Sequence, residues 1–287
     1  MHNTNQLLKI QPTLEESFNS LDIQYDHQNS LAWYYTQPYP RPCCTPALID
    51  EIQQWYGHLT NLENNMSPPQ YIAIASKIRG VFNLGGDLKL FAQYIRSQNR
   101  EALLSYAMSC IDTLYLNHTG LGKNITTISL VQGDALGGGF EFAISSNVLI
   151  AERSAKMGMP EILFNLFPGM GAYSLLSRKI GSGMAEKMIL GGKLYTAEEM
   201  YELGIVDVLA EDGEGEKAVF EYIKKQNRAS NGYRAFQQAK RHCNPVTYEE
   251  LKNIAIIWAD AALKLSDKDL RMMERLVARQ SLKVSHG

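Results

Sequence analysis

Apolar and polar positions alternate over Leu21–Tyr25 and Leu31–Thr36 around the turn-forming stretch Asp26-His27-Gln28-Asn29-Ser30, a pattern that predicts a β-hairpin. Pro38, Pro40 and Pro42 then enforce an extended connection. Two short runs without charge and rich in β-branched residues follow, Tyr71–Ala75 and Thr126–Val131, with Val148–Ile150 as a third. Strands that are apolar on both faces belong to a parallel sheet covered by helices. Helical spacing predicts Pro46–Leu59, Leu88–Gln98 and Arg100–Asn117 around them. This alternation through residues 70–151 predicts an α/β fold.

After about Ser174 the pattern turns helical. Thr196-x-x-Glu199, Thr247-x-x-Glu250 and Ser266-x-x-Asp269 resemble capping boxes, in which a hydroxyl satisfies a free N–H at a helix start. Leu251, Ala255, Trp258 and Ala262 share one helical face, and Met273, Leu276, Val277 and Gln280 form a second stripe. The expected division is a loose polar segment over 1–18, an α/β core over 19–195 and a helical region over 196–287. No internal repeat stands out in the sequence.

Composition narrows the function classes. The 287 residues are 45% hydrophobic and 20% charged with a net charge of −2, which is ordinary for a globular chain. No apolar run approaches the ~18–20 residues of a bilayer span, and the first residues carry neither a basic nor an apolar leader pattern. The four cysteines form no dense disulfide pattern, so a cytoplasmic protein is expected, with no membrane partner. The near-neutral charge argues against nonspecific nucleic-acid binding.

Two glycine-rich segments are candidates for chemistry. Gly85 and Gly86 precede Asp87 at the start of an amphipathic run, which would expose backbone N–H groups at a helix N-terminus. Gly137, Gly138 and Gly139 lead from a buried strand into a helix and would let backbone approach a ligand closely. Either segment alone is equally compatible with a tight turn or close helix packing. Neither has the Lys-Ser/Thr of a phosphate loop or the G-x-G-x-x-G spacing of a dinucleotide site.

Glu141 lies three residues beyond Gly138, so one helical turn would set its carboxylate beside that amide. Glu161 follows Pro160. Phe140, Phe142, Ile162, Leu163 and Phe164 flank the two glutamates, and apolar surroundings raise a carboxyl pKa toward the range useful for proton transfer. Ser182 lacks the spacing of a nucleophile elbow, no metal-ligand spacing appears, and Cys43-Cys44 read as packing.

The order LGGD, buried strand, GDALGGGFE and PEILFNLFPGMGA resembles the crotonase (enoyl-CoA hydratase/isomerase) superfamily over most of the chain. The resemblance implies a ββα spiral core with a helical C-terminal region. It also implies an oxyanion hole for a thioester carbonyl from the amides of Gly86 and Gly138, and catalysis by Glu141 and Glu161. The hairpin, the FNLFPGMGAYSLLSRKIG segment and the Trp258–Leu276 region look like those of diffusible signal factor synthases. In that family a 3-hydroxyacyl group on acyl carrier protein is dehydrated and released as a cis-2-unsaturated fatty acid used in quorum sensing.

The same resemblance assigns Gly85, Leu136, Gly137, Met170, Gly171, Trp258 and Leu276 to substrate binding, with Gly169 and Gly171 giving Met170 room along an acyl tail. It implies no metal and no cofactor beyond the phosphopantetheine of the carrier protein, or coenzyme A. A homotrimer or dimer of trimers and a signal-sensing regulatory protein are the further expected partners. An acidic carrier protein calls for a locally basic dock, with Lys77, Arg79, Lys89, Arg178 and Lys179 as candidates. Asn124-Ile125 departs from the usual Lys-Pro before the central strand. Two rivals stand: an ordinary enoyl-CoA hydratase or isomerase, and a non-catalytic scaffold or RNA-binding protein, against which the intact glutamates and the lack of a basic run argue.

Overall fold

The computed structural model describes residues 18–61 and 67–285. The expected loose terminus therefore lies outside the described residues, apart from Phe18. So do the side chains of Val277 and Gln280.

A large sheet runs in the order β1 (Leu21–Asp26), β2 (Leu31–Thr36), β3 (Tyr71–Ser76), then β5, β7 and β10. The hairpin β1/β2 is antiparallel, and every other pair in this sheet is parallel. A smaller sheet holds β4 (Val81–Asn83), β6, β8 and β9 in that order. The remaining strands are β5 (Thr126–Val131), β6 (Asp134–Leu136), β7 (Val148–Glu152), β8 (Lys156–Gly158), β9 (Leu194–Thr196) and β10 (Val208–Ala210).

The helices are α1 (Pro46–Thr60), α2 (Leu88–Arg96), α3 (Arg100–Thr119), α4 (Gly138–Ser145), α5 (Ala172–Ile180) and α6 (Ser182–Gly191). They continue with α7 (Ala197–Glu202), α8 (Gly215–Asn227), α9 (Ser230–Cys243), α10 (Tyr248–Ala262) and α11 (Asp267–Ser285). One 3₁₀ turn spans Pro160–Phe164.

The period of two explains the sandwich. Ala32, Tyr34, Ile72 and Ile74 face the main core, where Leu48, Trp55 and Leu103 of α1 and α3 pack. Their neighbours Leu31, Trp33, Tyr71 and Ala73 face the other way, onto Val219 and Ile223 of α8. Both faces are covered, as the charge-free runs require.

A structural repeat underlies the chain although no sequence repeat does. Three times a strand of the large sheet turns into a three-residue strand of the small sheet and then into a helix or helical turn. The units are β3–β4–α2, β5–β6–α4 and β7–β8 followed by the 3₁₀ turn. Three-residue strands carry too little periodicity to be read from sequence. The same reason corrects the all-helical reading of residues 196–287, because β10 lies there and pairs in parallel with β7.

Helix starts follow their caps. Thr196 and Glu199 form a complete capping box at α7. At α10 the Glu250 N–H donates to Thr247 Oγ1, while the Glu250 carboxylate is drawn away to a bidentate pair with Arg178. Asp87 caps α2 by accepting from Leu90 N–H at 3.2 Å and also accepts from Arg41 Nη2 at 2.6 Å, both groups being largely buried. Asp87→Ala therefore removes a cap and a shielded ion pair, and chemical denaturation is expected to register a loss of about 2 kcal/mol. Asp87→Asn keeps the cap and loses less.

Candidate active site

The small sheet positions the site. β4, β6 and β8 are parallel neighbours, and the segments leaving their C-terminal ends are Leu84-Gly85-Gly86, Gly137-Gly138 and Met159-Pro160-Glu161. Strand ends about 4.8 Å apart bring three sequence-distant segments side by side. Glycine lets the first two touch. A Cβ on Gly85 would lie 2.8 Å from Leu136 O, and one on Gly139 would lie 2.2 Å from Asn83 O. Gly85 N–H is tied down by Asn83 Oδ1 at 2.9 Å.

Gly86 and Gly138 come together here. A Cβ on Gly138 would stand 3.4 Å from Gly86 N, and one on Gly85 would stand 3.3 Å from Gly138 N. Among the described residues neither Gly86 N–H nor Gly138 N–H has an acceptor within the chain. Gly138 opens α4, whose aligned peptide dipoles favour negative charge at that end. Two adjacent unoccupied donors of this kind can stabilise an oxyanion.

Glu141 projects from the first turn of α4 and is buried. Its Oε1 accepts from Met170 N–H at 2.8 Å and Ala172 N–H at 2.9 Å. The carboxylate is thus anchored by Met170 in the loop before α5 and by Ala172 at the start of α5, rather than by the amide of Gly138. Glu161 sits in the 3₁₀ turn, half-buried, with its Oε2 shielded and without a partner. Its carboxylate lies over Gly137, where a Cβ would meet Oε1 at 2.3 Å.

Burial raises both carboxyl pKa values above the ordinary range, and the charge of Glu141 raises Glu161 further. Two amide donors favour the ionised form of Glu141, while Oε2 of Glu161 has none. Of the two, Glu141 is therefore the better supported as an anion.

Both carboxyls and both amides line one cavity of about 230 Å³ with mainly apolar walls. Leu163 and Leu194, 55% and 39% exposed, mark its mouth. Gly85, Leu136, Gly137, Met170, Trp258 and Leu276 line it as expected, but Gly171 does not. Gly171 has φ +107° before α5, and a Cβ there would strike Leu251 rather than the cavity. Nor does Gly169 make room for Met170; the face of Trp258 fills that space, 2.3 Å from where a Cβ would stand.

Sequence reasoning missed Phe91, Tyr106 and Cys110, which complete the wall. Phe91 stacks edge-on against Tyr106 and Trp258, with ring centroids 5.1 and 5.0 Å apart. Their helical spacing is that of ordinary core residues, so periodicity carried no signal. Of the candidate docking cations, Arg178 is engaged by Glu250 and Pro245 O, Lys179 by Ile205 O and Asp207, and Lys77 by Asp22. No helix among the described residues is long and apolar enough to cross a membrane, and none of their His, Cys, Asp and Glu side chains form a group of three or more able to hold a metal.

A twofold-sheet spiral with a glycine-built amide pair defines a crotonase-type α/β protein. The model of the family described as enoyl-CoA hydratase/isomerase matches residues 41–264, and the chain belongs to that family. The alpha subunit of the fatty acid oxidation complex of Pseudomonas savastanoi pv. phaseolicola is 28% identical over 167 residues. That match takes in 58% of this chain but only 23% of the relative, so the chain spans about a quarter of that protein's length. Among solved structures, an enoyl-CoA hydratase from Bacillus halodurans superposes with a TM-score of 0.75 at 22% identity, covering 89% of this chain and 99% of its own. DspI of Pseudomonas aeruginosa superposes with a TM-score of 0.64 at 21% identity, covering 93% and 98%. These two likenesses concern the fold.

The buried carboxyls have a measurable cost. In the unfolded chain a glutamate ionises near pH 4.3, whereas in the folded protein it keeps its proton to higher pH. The native state then holds protons that the unfolded state has lost, so stability falls as pH rises from about 4.3 until it passes the raised native values, and levels off beyond. Glu161→Gln has no such proton to lose. Thermal melts are expected to match the wild type at about pH 4 and to favour the variant by about 1 kcal/mol or more at pH 9.

Proposed function

We propose that the protein is a 3-hydroxyacyl thioester dehydratase that also hydrolyses its product, taking its acyl group from acyl carrier protein and releasing a cis-2-unsaturated fatty acid signal. The observation that carries the proposal is the convergence of two unoccupied amides and two carboxyls on one mainly apolar cavity.

In the elimination the thioester oxygen sits between Gly86 N–H and Gly138 N–H, which gain strength as enolate charge develops. A donor of this kind is worth about 2.7–4 kcal/mol in the transition state. The ionised carboxylate of the Glu141–Glu161 pair draws the C2 proton. The protonated member delivers its proton to the C3 hydroxyl, which leaves as water, and the pair again holds one proton. In the hydrolysis the ionised member takes a proton from water as that water attacks C1. The tetrahedral oxyanion occupies the same amides, and the sulfur departs as a thiol on receiving the proton. The apolar wall of Phe91, Trp258 and Leu276 holds the tail at about 0.8 kcal/mol per buried methylene, which selects chain length rather than driving chemistry. The cis geometry and the carrier protein follow from the resemblance to signal synthases.

The family match and the hydratase names among the relatives favour a second reading, an ordinary enoyl-CoA hydratase using the same groups without hydrolysis. Incubation with 3-hydroxydodecanoyl carrier protein and mass spectrometry separates the two. The proposal expects free cis-2-dodecenoic acid; trans-enoyl thioester with no free acid would establish the hydratase. Glu141→Ala and Glu161→Ala should each lower turnover by at least about 10²-fold. Gly86→Ala should do the same with the carboxyls intact, since its Cβ would lie 2.5 Å from Phe91 Cζ and must shift either the ring or the amide.

A further inference from the structure

Gly86 N–H belongs to the same peptide unit as Gly85 O, and that carbonyl accepts from Cys44 N–H at 2.7 Å. The unit is trans, so its C=O and N–H point in opposite directions and the Gly86 N–H is turned away from Cys44. Cys44 and Gly86 also pair as an isolated parallel bridge. That pairing engages the polar groups on either side of Gly86 and leaves its own N–H without an acceptor among the described residues. Gly138 is arranged alike, since the carbonyl of its unit, Gly137 O, accepts from Glu141 N–H at 2.9 Å. There α4 itself supplies the tie. At Gly86 the tie comes from outside the loop, from the segment 41–44 that precedes α1.

That segment meets the loop at further points. Leu84 N–H donates to Pro42 O at 2.7 Å, and Arg41 Nη2 donates to Asp87 Oδ1 at 2.6 Å. Tyr106 of α3 closes the arrangement: its hydroxyl donates to Cys44 O and accepts from Asp87 N–H at 3.3 Å. One buried group thus bridges both segments next to Gly86. The Tyr106 ring lines the substrate cavity, but its phenolic proton is committed to Cys44 O rather than offered to a ligand. We propose that Tyr106 and Arg41 are positioning residues for the Gly86 amide, holding the segment 41–44 against the loop so that Cys44 N–H fixes and polarises the Gly85–Gly86 peptide. A hydrogen bond accepted at a peptide's oxygen strengthens its N–H as a donor. The donor is then set before any charge develops, as an oxyanion site requires. The inference rests on reading the amide pair as the seat of a thioester carbonyl, and holds for either carrier and with or without hydrolysis.

The test is Tyr106→Phe, which keeps the ring against Phe91 and removes only the bridging hydroxyl. Two quantities are read. With 3-hydroxydodecanoyl-coenzyme A, kcat should fall about tenfold, short of the 10²–10³-fold that losing such a donor outright costs. KM should change little, because the amide gains strength only as charge develops. The second readout is the infrared carbonyl stretch of bound dodecanoyl-coenzyme A in which CH2 replaces the sulfur and the carbonyl carbon is ¹³C. This ketone can be neither hydrolysed nor dehydrated. Its stretch should lie lower on the wild-type protein than in water, and Tyr106→Phe should return most of that lowering. Tyr56→Phe is the control: it loses an equally buried hydroxyl whose partners are Tyr34 and Asn117, so it should lower the melting temperature and leave kcat and the stretch alone.

Arg41→Gln loosens the same junction from the Asp87 side and carries the comparison if Tyr106→Phe does not fold; it should move the stretch in the same direction. A stretch that stays fully lowered in both variants overturns the proposal, whatever happens to their melting temperatures or rates. A protein that turns over no 3-hydroxyacyl thioester, yet lowers the ketone stretch through Tyr106, loses the catalytic reading and keeps the positioning one. If the wild-type protein binds the ketone without lowering its stretch, the amide pair is no carbonyl site, and the proposal falls with it.

Discussion

The contact between the loops that leave β4 and β6 is the constraint on which the site depends. Leu136 O and Asn83 O occupy positions that a side chain at Gly85 or Gly139 would need. Only with those side chains absent can two helix-starting segments close until the Gly86 and Gly138 amides lie side by side. Each amide belongs to a different unit of the spiral, and α4 adds its dipole behind one of them. Hydrogen-bond donors fixed in this way need no reorganisation when charge appears, which is the source of their effect on a reaction.

The carboxyl pair is held by the opposite logic. Glu141 is buried at the expense of its charge, and the chain returns part of that cost through the amides of Met170 and of Ala172 at the start of α5. Glu161 receives no such help at Oε2, and lies against the bare backbone of Gly137. The two acids differ because their surroundings differ, and burial holds both above the ordinary carboxyl range. A site built from shielded acids and unoccupied donors lowers stability locally; the two-sided packing of the large sheet against α1, α3 and α8 offsets it.

How much of this could be read from residues alone depends on length and type of signal. The charge-free runs that became β3 and β5 were legible because burial on both faces excludes charge over five or six residues, and the shorter run Val148–Ile150 marked β7, which ends on the buried Glu152. Glu141, Glu161, Gly86 and Gly138 were singled out by the resemblance of the ordered segments to a family rather than by local pattern, and the structure brings all four to one cavity. The three-residue strands of the small sheet were not legible, although they place the whole site. The anchoring of Glu141 by Met170 and Ala172 is a contact across 29 and 31 residues, and no local spacing encodes it. Gly171 illustrates the converse error: a glycine beside a pocket residue can serve the start of a helix and a neighbour such as Leu251 instead of a ligand. Cys110 and Phe91 look like any core residue, because a cavity wall and a core have the same chemistry until the packing is known.

The division of labour among the three strand–strand–helix units bears on how such a scaffold diverges. The first two units bring the Gly86 and Gly138 amides to the cavity, the second adds Glu141, and the third, through the turn at Pro160, brings Glu161. If the site works as proposed, replacing one residue in that last turn would rewrite the reaction while leaving the amide pair inherited and intact. New chemistry could therefore arise one position at a time on an architecture that never has to be rebuilt.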